Sequence, residues 1–214
     1  MNNSRRAFSL LELLVVAAIV GLIAVLLVPS TGGGKATASR INCANNLKMI
    51  GISTKEWAMD HNNLFPMQTL QPNGEPVAAS GLPWRHFQVM SNELRNPKVF
   101  VCPADNSRRA ATNFTSDFSN SRLSYFLNVT AQYEDTNNMS SFLSGDRNLL
   151  VDGNAPGGEI LIRTNSMVSW SEQIHRNNGN ILLIDGSVQQ LSAKRLLESV
   201  REATSEQKMR LAFP

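Results

Sequence analysis

The pattern of apolar and polar positions divides the chain into a continuous apolar run, one long amphipathic stretch and a series of short alternating runs. From Phe8 to Val28 only Ser9, Glu12 and Gly21 interrupt the apolar residues. As a helix this stretch would extend about 30 Å, the thickness of a bilayer's hydrocarbon core, so the pattern predicts a membrane-spanning helix over 8–28. Pro29 and Gly32-Gly33-Gly34 follow and predict a break over 29–38, because proline lacks the amide donor and glycine is a poor helix former. The helical pattern resumes near Ser39, where Cys43, Leu47, Ile50, Thr54 and Trp57 recur at spacings of three and four and mark one face. It should stop near Asn62-Asn63.

Residues 66–83 are rich in Pro, Gly, Gln and Asn and read as a loop. Pro83 can then open a short helix carrying Trp84, Phe87, Met90 and Leu94, which Asn96-Pro97 ends. Lys98 to Cys102 reads as a brief extended run and Pro103 to Asn120 as a polar loop. Strand-like runs follow at Leu123–Asn128, Asn148–Val151, Glu159–Arg163, Met167–Trp170, Asn180–Ile184 and Ser187–Leu191. Asp185-Gly186 between the last two is a hairpin signal of the type I′ kind, which needs positive φ at both central residues. Leu196, Leu197 and Val200 suggest a terminal helix from about Ser192 to Ala203. A helix face that needs a sheet to bury it makes the fold class α+β, a long N-terminal helix packed on a small antiparallel sheet.

Composition fits one modest core plus an appendage: 214 residues, 42% hydrophobic and 17% charged. The net charge of +3 is small, and nothing in its distribution points to a nucleic-acid partner. The placement of charge says more. Arg5 and Arg6 precede the apolar run and the next basic residue is Lys35, so the positive-inside rule leaves the N-terminus in the cytoplasm and the bulk of the chain outside. Ala36-Thr37-Ala38 matches a signal-peptidase pattern, but it lies well past an apolar run that is already too long for a secretory h-region. A plain anchor explains the length and the flanks but leaves Glu12 without a role, since a carboxylate inside a membrane helix costs about 2.5–3.5 kcal/mol.

Arg5-Arg6-Ala7-Phe8-Ser9-Leu10-Leu11-Glu12-Leu13-Leu14-Val15-Val16 resembles the prepilin leader junction of type IV pilins and type II secretion pseudopilins. The resemblance implies a leader over 1–7, cut by a prepilin peptidase between Ala7 and Phe8, with Phe8 then N-methylated. It makes Glu12 the fifth mature residue, the family's assembly glutamate, and Pro29 the twenty-second, its helix-kinking proline. Ala7 departs from the usual glycine. Residues 39–214 would be a periplasmic or extracellular pilin-like domain on a single-pass protein of the cytoplasmic membrane. Its implied partners are the peptidase, other pilin or pseudopilin subunits and membrane lipid.

The soluble region also resembles a pseudopilin-like subfamily recognised by a His, nine residues and then Asp-Gly, here His175 and Asp185-Gly186. Cys43-Ala44-Asn45-Asn46-Leu47-Lys48, Cys102-Pro103-Ala104-Asp105, Ser124-Tyr125 and Gly145-Asp146-Arg147-Asn148 look like the same subfamily.

The candidate chemistry is sparse. Cys43 and Cys102, in no C-x-x-C pair, argue against a structural zinc site; they can form a disulfide outside the cytoplasm or remain thiols. His175 and Asp185, at the start and the turn of one strand, read as structural residues and not as an acid/base pair. His61 and His86 stand alone, no Ser lies in a G-x-S-x-G elbow, and the expectation is no enzyme and no cofactor. Calcium ligation by Asp146, Asp152 and Asp185 lacks an EF-hand pattern. The leading reading is a structural fibre subunit. The alternative is a membrane-presented binding module that uses the loops at 66–83 and 103–120, and the third is a hydrolase built on His175 and Asp185, which lacks a nucleophile.

Overall fold

The computed structural model describes residues 9–27, 33–70, 74, 81–133, 141–204 and 208–214. The leader junction at Ala7 and Phe8, the proline at Pro29 and half of the loop at 66–83 lie outside the described residues. The chain forms two compact units, Met1–Lys35 and Ala36–Pro214.

In the first unit, α1 spans Leu10–Leu27, and each of its described side chains from Leu10 to Val25 is exposed. Its 18 residues rise about 27 Å. Among the described residues no helix is long and apolar enough to cross a membrane. Phe8 and Val28, which complete the apolar run in the sequence, lie just outside that span.

In the second unit, α2 (Gly33–Asp60), which belongs to it from Ala36 on, lies against an antiparallel sheet, which gives the expected α+β class. The helix begins at Gly33, so the break expected over 29–38 does not extend through Gly33 and Gly34. It ends where expected, with Asn62 and Asn63 at positive φ, a conformation asparagine tolerates after a helix. Cys43, Leu47, Ile50 and Thr54 are buried on the predicted face. Two short helices follow, α3 (Pro83–Val89) and α4 (Ser91–Leu94). Pro97–Phe100 is a 3-10 turn and not the expected extended run, because Asn96 caps it by accepting from Lys98 N at 3.1 Å.

The strands are β1 (Tyr125–Asn128), β2 (Phe142–Asp146), β3 (Leu149–Val151), β4 (Gly158–Ile162), β5 (Val168–Trp170), β6 (Asn178–Leu183), β7 (Val188–Ser192) and β8 (Met209–Phe213), with α5 (Ala193–Ala203) before the last. The main sheet has the order β4-β8-β1-β2-β6-β7, and β3 pairs with β5 separately. Two cores lie on the two faces of this sheet. Tyr125, Leu127, Leu143, Leu182 and Ile184 pack with the face of α2, whereas Phe126, Phe142, Ile181, Leu183 and Phe213 pack with Leu196 and Val200 of α5. The alternation along β1, β2 and β6 is the period-two rule of a strand. Because both faces are covered, β1 and β2 are buried throughout and β6 from Gly179 on, unlike a half-solvated sheet.

The hairpin at Asp185-Gly186 is not type I′. Only Gly186 has positive φ, and Gly186 N donates to Leu183 O while Leu183 N donates to Ser187 O, both at 2.9 Å. This is the three-residue connection in which a glycine in the left-handed region closes a tighter turn.

Candidate functional site

At the N-terminus of α1, Ser9 and Glu12 satisfy each other's backbone. Ser9 N donates to Glu12 Oε2 at 2.9 Å, and Glu12 N donates to Ser9 Oγ at 3.3 Å. This reciprocal arrangement is a capping box, which provides for amides that have no partner inside the helix and sets a negative charge against the positive end of the helix dipole. Glu12, which a plain anchor does not explain, has a role within its own helix.

The second concentration of polar chemistry lies under α2, at one end of the sheet. Cys43 comes from α2, Cys102 from the segment after the 3-10 turn, Asp146 from the last position of β2 and His175 from the segment leading into β6. All four are buried, and one ligand-capable atom from each lies within 4.8 Å of every other. Cys43 Sγ donates to Asp146 Oδ1 at 3.1 Å, Cys102 Sγ sits 3.4 Å from His175 Nε2, and His175 Nε2 lies 3.5 Å from Asp146 Oδ2. Asn180 holds the carboxylate through its backbone N at 2.7 Å and its Nδ2 at 2.9 Å, both to Oδ2. Tyr125 Oη lies 3.3 Å from Cys43 Sγ, and Arg40 of α2 donates to the carbonyl of His175 at 3.2 Å.

The local backbone explains how the groups approach so closely. β2 ends in Gly145-Asp146, and a Cβ at Gly145 would lie 2.6 Å from Ile181 Cδ1 and 2.7 Å from the Phe126 ring. Only glycine lets β2 lie between these neighbours with Asp146 aimed at α2.

Charge is in conflict inside the cluster. Burial pushes the Cys43 thiol up, and Cys102 and Asp146 reinforce the shift. The hydrogen bond from Cys43 draws Cys102 down to about 6 against the effect of burial, with His175 adding to the pull. Burial, then the charge of Cys102, raises Asp146 to about 7. Burial works against a charged His175, yet Cys102 and Asp146 outweigh it and raise that group. Both sulfurs are free thiols and fully shielded from solvent, so neither can act as a nucleophile toward an outside substrate. Of the two states that the sequence allows for this pair, disulfide or thiols, the structure has the thiols.

A second buried network abuts the first. Asp105 accepts from Arg147 Nε and Nη2, Ser124 Oγ and Ser107 Oγ. Thus the fragments Cys102 to Asp105, Ser124-Tyr125 and Gly145 to Asn148, distant in sequence, converge in the fold.

His175 and Asp185 do not meet. His175 belongs to the buried cluster, whereas Asp185 Oδ1 accepts from Ser187 N at 2.7 Å in the β6–β7 turn. Lys55 Nζ donates to the carbonyl of Asp185 and Lys48 Nζ to that of Gly186. Each end of the His-to-Asp-Gly element therefore ties the segment around β6 to α2, one through the bond from Arg40 to the His175 carbonyl, the other through the two lysines. The calcium set does not form either. Asp146 is buried in the cluster, Asp152 accepts from Met167 N at 3.0 Å in its own turn, and Asp185 serves the hairpin. His61 stacks on Trp57 with ring centroids 3.6 Å apart, and His86 is buried beside Phe87 in the core.

No curated protein and no solved structure matches the chain. The first residues are different: 2–28 match the family model of the prokaryotic N-terminal methylation motif, which implies a pilin-like processing segment at the start of this chain.

Proposed function

We propose that the protein is a prepilin-like structural subunit. A prepilin peptidase cuts between Ala7 and Phe8, Phe8 is N-methylated, and the mature subunit joins other pilin or pseudopilin subunits in a type IV pilus-like or type II secretion pseudopilus fibre. The observation that carries this reading is the methylation motif over 2–28, coincident with a helix whose apolar side chains face outward on every side. A helix apolar all round is buried in lipid or among other helices. Before assembly lipid covers α1, with the N-terminus in the cytoplasm and the α+β unit outside; in the fibre, neighbouring copies of the same helix cover it.

Intact mass and N-terminal peptide mapping of protein purified from membranes test the first step. The expected product begins at Phe8 and carries one methyl group on its amine. A product beginning near Ser39 would mean an ordinary secretory signal and would remove the fibre reading, and an uncut chain in a host with an active peptidase would leave only a membrane anchor.

A further inference from the structure

We propose that Cys43, Cys102, Asp146 and His175 form a closed structural zinc(II) site that fastens α2 to the sheet. The donor set of two sulfurs, one imidazole nitrogen and one carboxylate oxygen suits a tetrahedral zinc ion. The spacing suits it too. With metal–ligand distances of about 2.0–2.3 Å, the edges of a tetrahedron are roughly 3.3–3.8 Å. The observed separations of 3.1 Å from Cys43 Sγ to Asp146 Oδ1 and 3.4 Å from Cys102 Sγ to His175 Nε2, with one ligand-capable atom from each of the four residues within 4.8 Å of every other, need only small side-chain adjustments to reach that shape.

The environment supports a resident cation. Three groups that carry negative charge when they bind metal are enclosed with one imidazole away from solvent, and a divalent ion would balance most of that charge inside the site. The surroundings already have the features of an outer shell that orients ligands. Asn180 fixes Oδ2 of Asp146 through two donors and so leaves Oδ1 for the metal, while Tyr125 lies against the sulfur of Cys43. All four side chains are buried and all four come from the protein, which is the pattern of a structural site and not of a catalytic one with a position open to water.

A disulfide between the same two cysteines is the competing state, and the geometry disfavours it. Forming the S–S bond removes the Cys43 thiol proton, the donor that Asp146 Oδ1 now uses. That would leave a buried carboxylate oxygen without its partner, a costly condition. Zinc replaces the lost proton for both residues at once. The ligands come from four separated segments, so the ion would close long loops and couple its binding to folding.

The test uses the full chain purified in detergent without reductant or chelator. Zinc should co-purify in stoichiometric amount, chelation should lower the melting temperature, and added zinc(II) should restore it. Replacement by cobalt(II) should give a thiolate-to-metal charge-transfer band together with the intense visible bands of tetrahedral cobalt. Asn180→Ala keeps every ligand and should weaken zinc affinity about 10- to 100-fold while retaining the cobalt spectrum, as loss of an orienting partner does. Cys43→Ser should remove part of the charge-transfer intensity; if that variant fails to fold, the cobalt spectrum of the unaltered chain still decides. Recovery of a Cys43–Cys102 disulfide peptide, or free thiols with no cobalt–thiolate absorption after metal loading, would overturn the proposal.

Discussion

Arg147 grips Asp105 through two hydrogen bonds, from Nε to Oδ2 at 2.7 Å and from Nη2 to Oδ1 at 2.9 Å, with the carboxylate side chain only 2% exposed. Ser107 and Ser124 complete the coordination of the same carboxylate. Burial works against a charged Asp105, but Arg147 and the two serines outweigh it and hold the group below the ordinary carboxylate value. Breaking a buried pair by removing one partner leaves the other uncompensated, so Arg147→Leu should destabilise the domain by about 3–5 kcal/mol. The pH dependence follows from the sign of the shift. A depressed folded value gives stability that is fully present above the unfolded pKa of about 3.9 and is lost as pH falls through the folded value. Denaturant titrations of Asp105→Asn and the unaltered chain should therefore differ above about pH 4 and converge only as pH falls below the depressed folded value of Asp105, where both side chains are neutral.

His86 predicts an acid sensitivity at higher pH. It is fully buried, neither ring nitrogen makes a hydrogen bond of good geometry, and burial lowers its pKa to about 4 although the Pro66 carbonyl opposes the shift. The unfolded chain takes up this proton near pH 6.5, whereas the folded chain resists until about pH 4. Stability should fall as pH drops from 7 toward 4, and His86→Leu should flatten that part of the profile. Thermal melts across this range check it, and an unchanged slope in the Leu variant would remove His86 as the cause.

The β6–β7 turn separates two roles in one dipeptide. Asp185→Ala loses the hydrogen bond to Ser187 N and should cost about 0.5–1.5 kcal/mol, while Asp185→Asn, which keeps an acceptor oxygen, should be milder. Gly186→Ala places a side chain at φ +84°, which costs about 1–2 kcal/mol in backbone strain, and sets its Cβ 3.3 Å from Lys55 Nζ. Chemical denaturation should rank Gly186→Ala below Asp185→Asn. A turn of the type I′ kind would instead penalise changes at both positions for the same backbone reason.

Much of the fold is legible wherever local periodicity decides the outcome. The spacing of Cys43, Leu47, Ile50 and Thr54 marked the buried face of α2, and β1, β3 to β7 and α5 lie within a few residues of their apolar runs. β2 and β8 escaped notice for different reasons. Phe142-Leu143-Ser144-Gly145-Asp146 contains no β-branched residue and, buried on both faces, shows no alternation of apolar and polar positions. β8 is a short segment whose place between β4 and β1 is a matter of topology. The cluster of Cys43, Cys102, Asp146 and His175 was hidden because metal-ligand spacing rules need close pairs, and here each group comes from a different segment. Its members stood inside short fragments that looked related to one subfamily, but only the sheet and α2 bring those fragments together.

Glu12 carries the last prediction, because the capping box with Ser9 gives it two separable properties. As a hydrogen-bond acceptor for Ser9 N it stabilises the first turn of α1, a contribution that glutamine can also make at this position. As a charge it can pair with the amine created at Phe8 by cleavage on a neighbouring subunit, which glutamine cannot do. Glu12→Ala removes both, whereas Glu12→Gln removes only the charge. If the charge registers subunits in the fibre, both variants should insert in the membrane and be cleaved after Ala7, and both should lose assembly alike. The expected drop in intersubunit crosslinks is about tenfold or more, since a hydrogen bond to a charged group contributes about 1.5–3 kcal/mol. Membrane fractionation with crosslinking between subunits separates insertion from assembly, and N-terminal mapping checks cleavage. Ser9→Ala supplies the complementary control: it keeps the charge, removes the hydroxyl acceptor for Glu12 N and should cost about 0.5–2 kcal/mol of helix stability with assembly largely retained. Assembly of Glu12→Gln at the level of the unaltered chain, with Glu12→Ala still deficient, would show that capping and not charge is what the fibre requires of this residue.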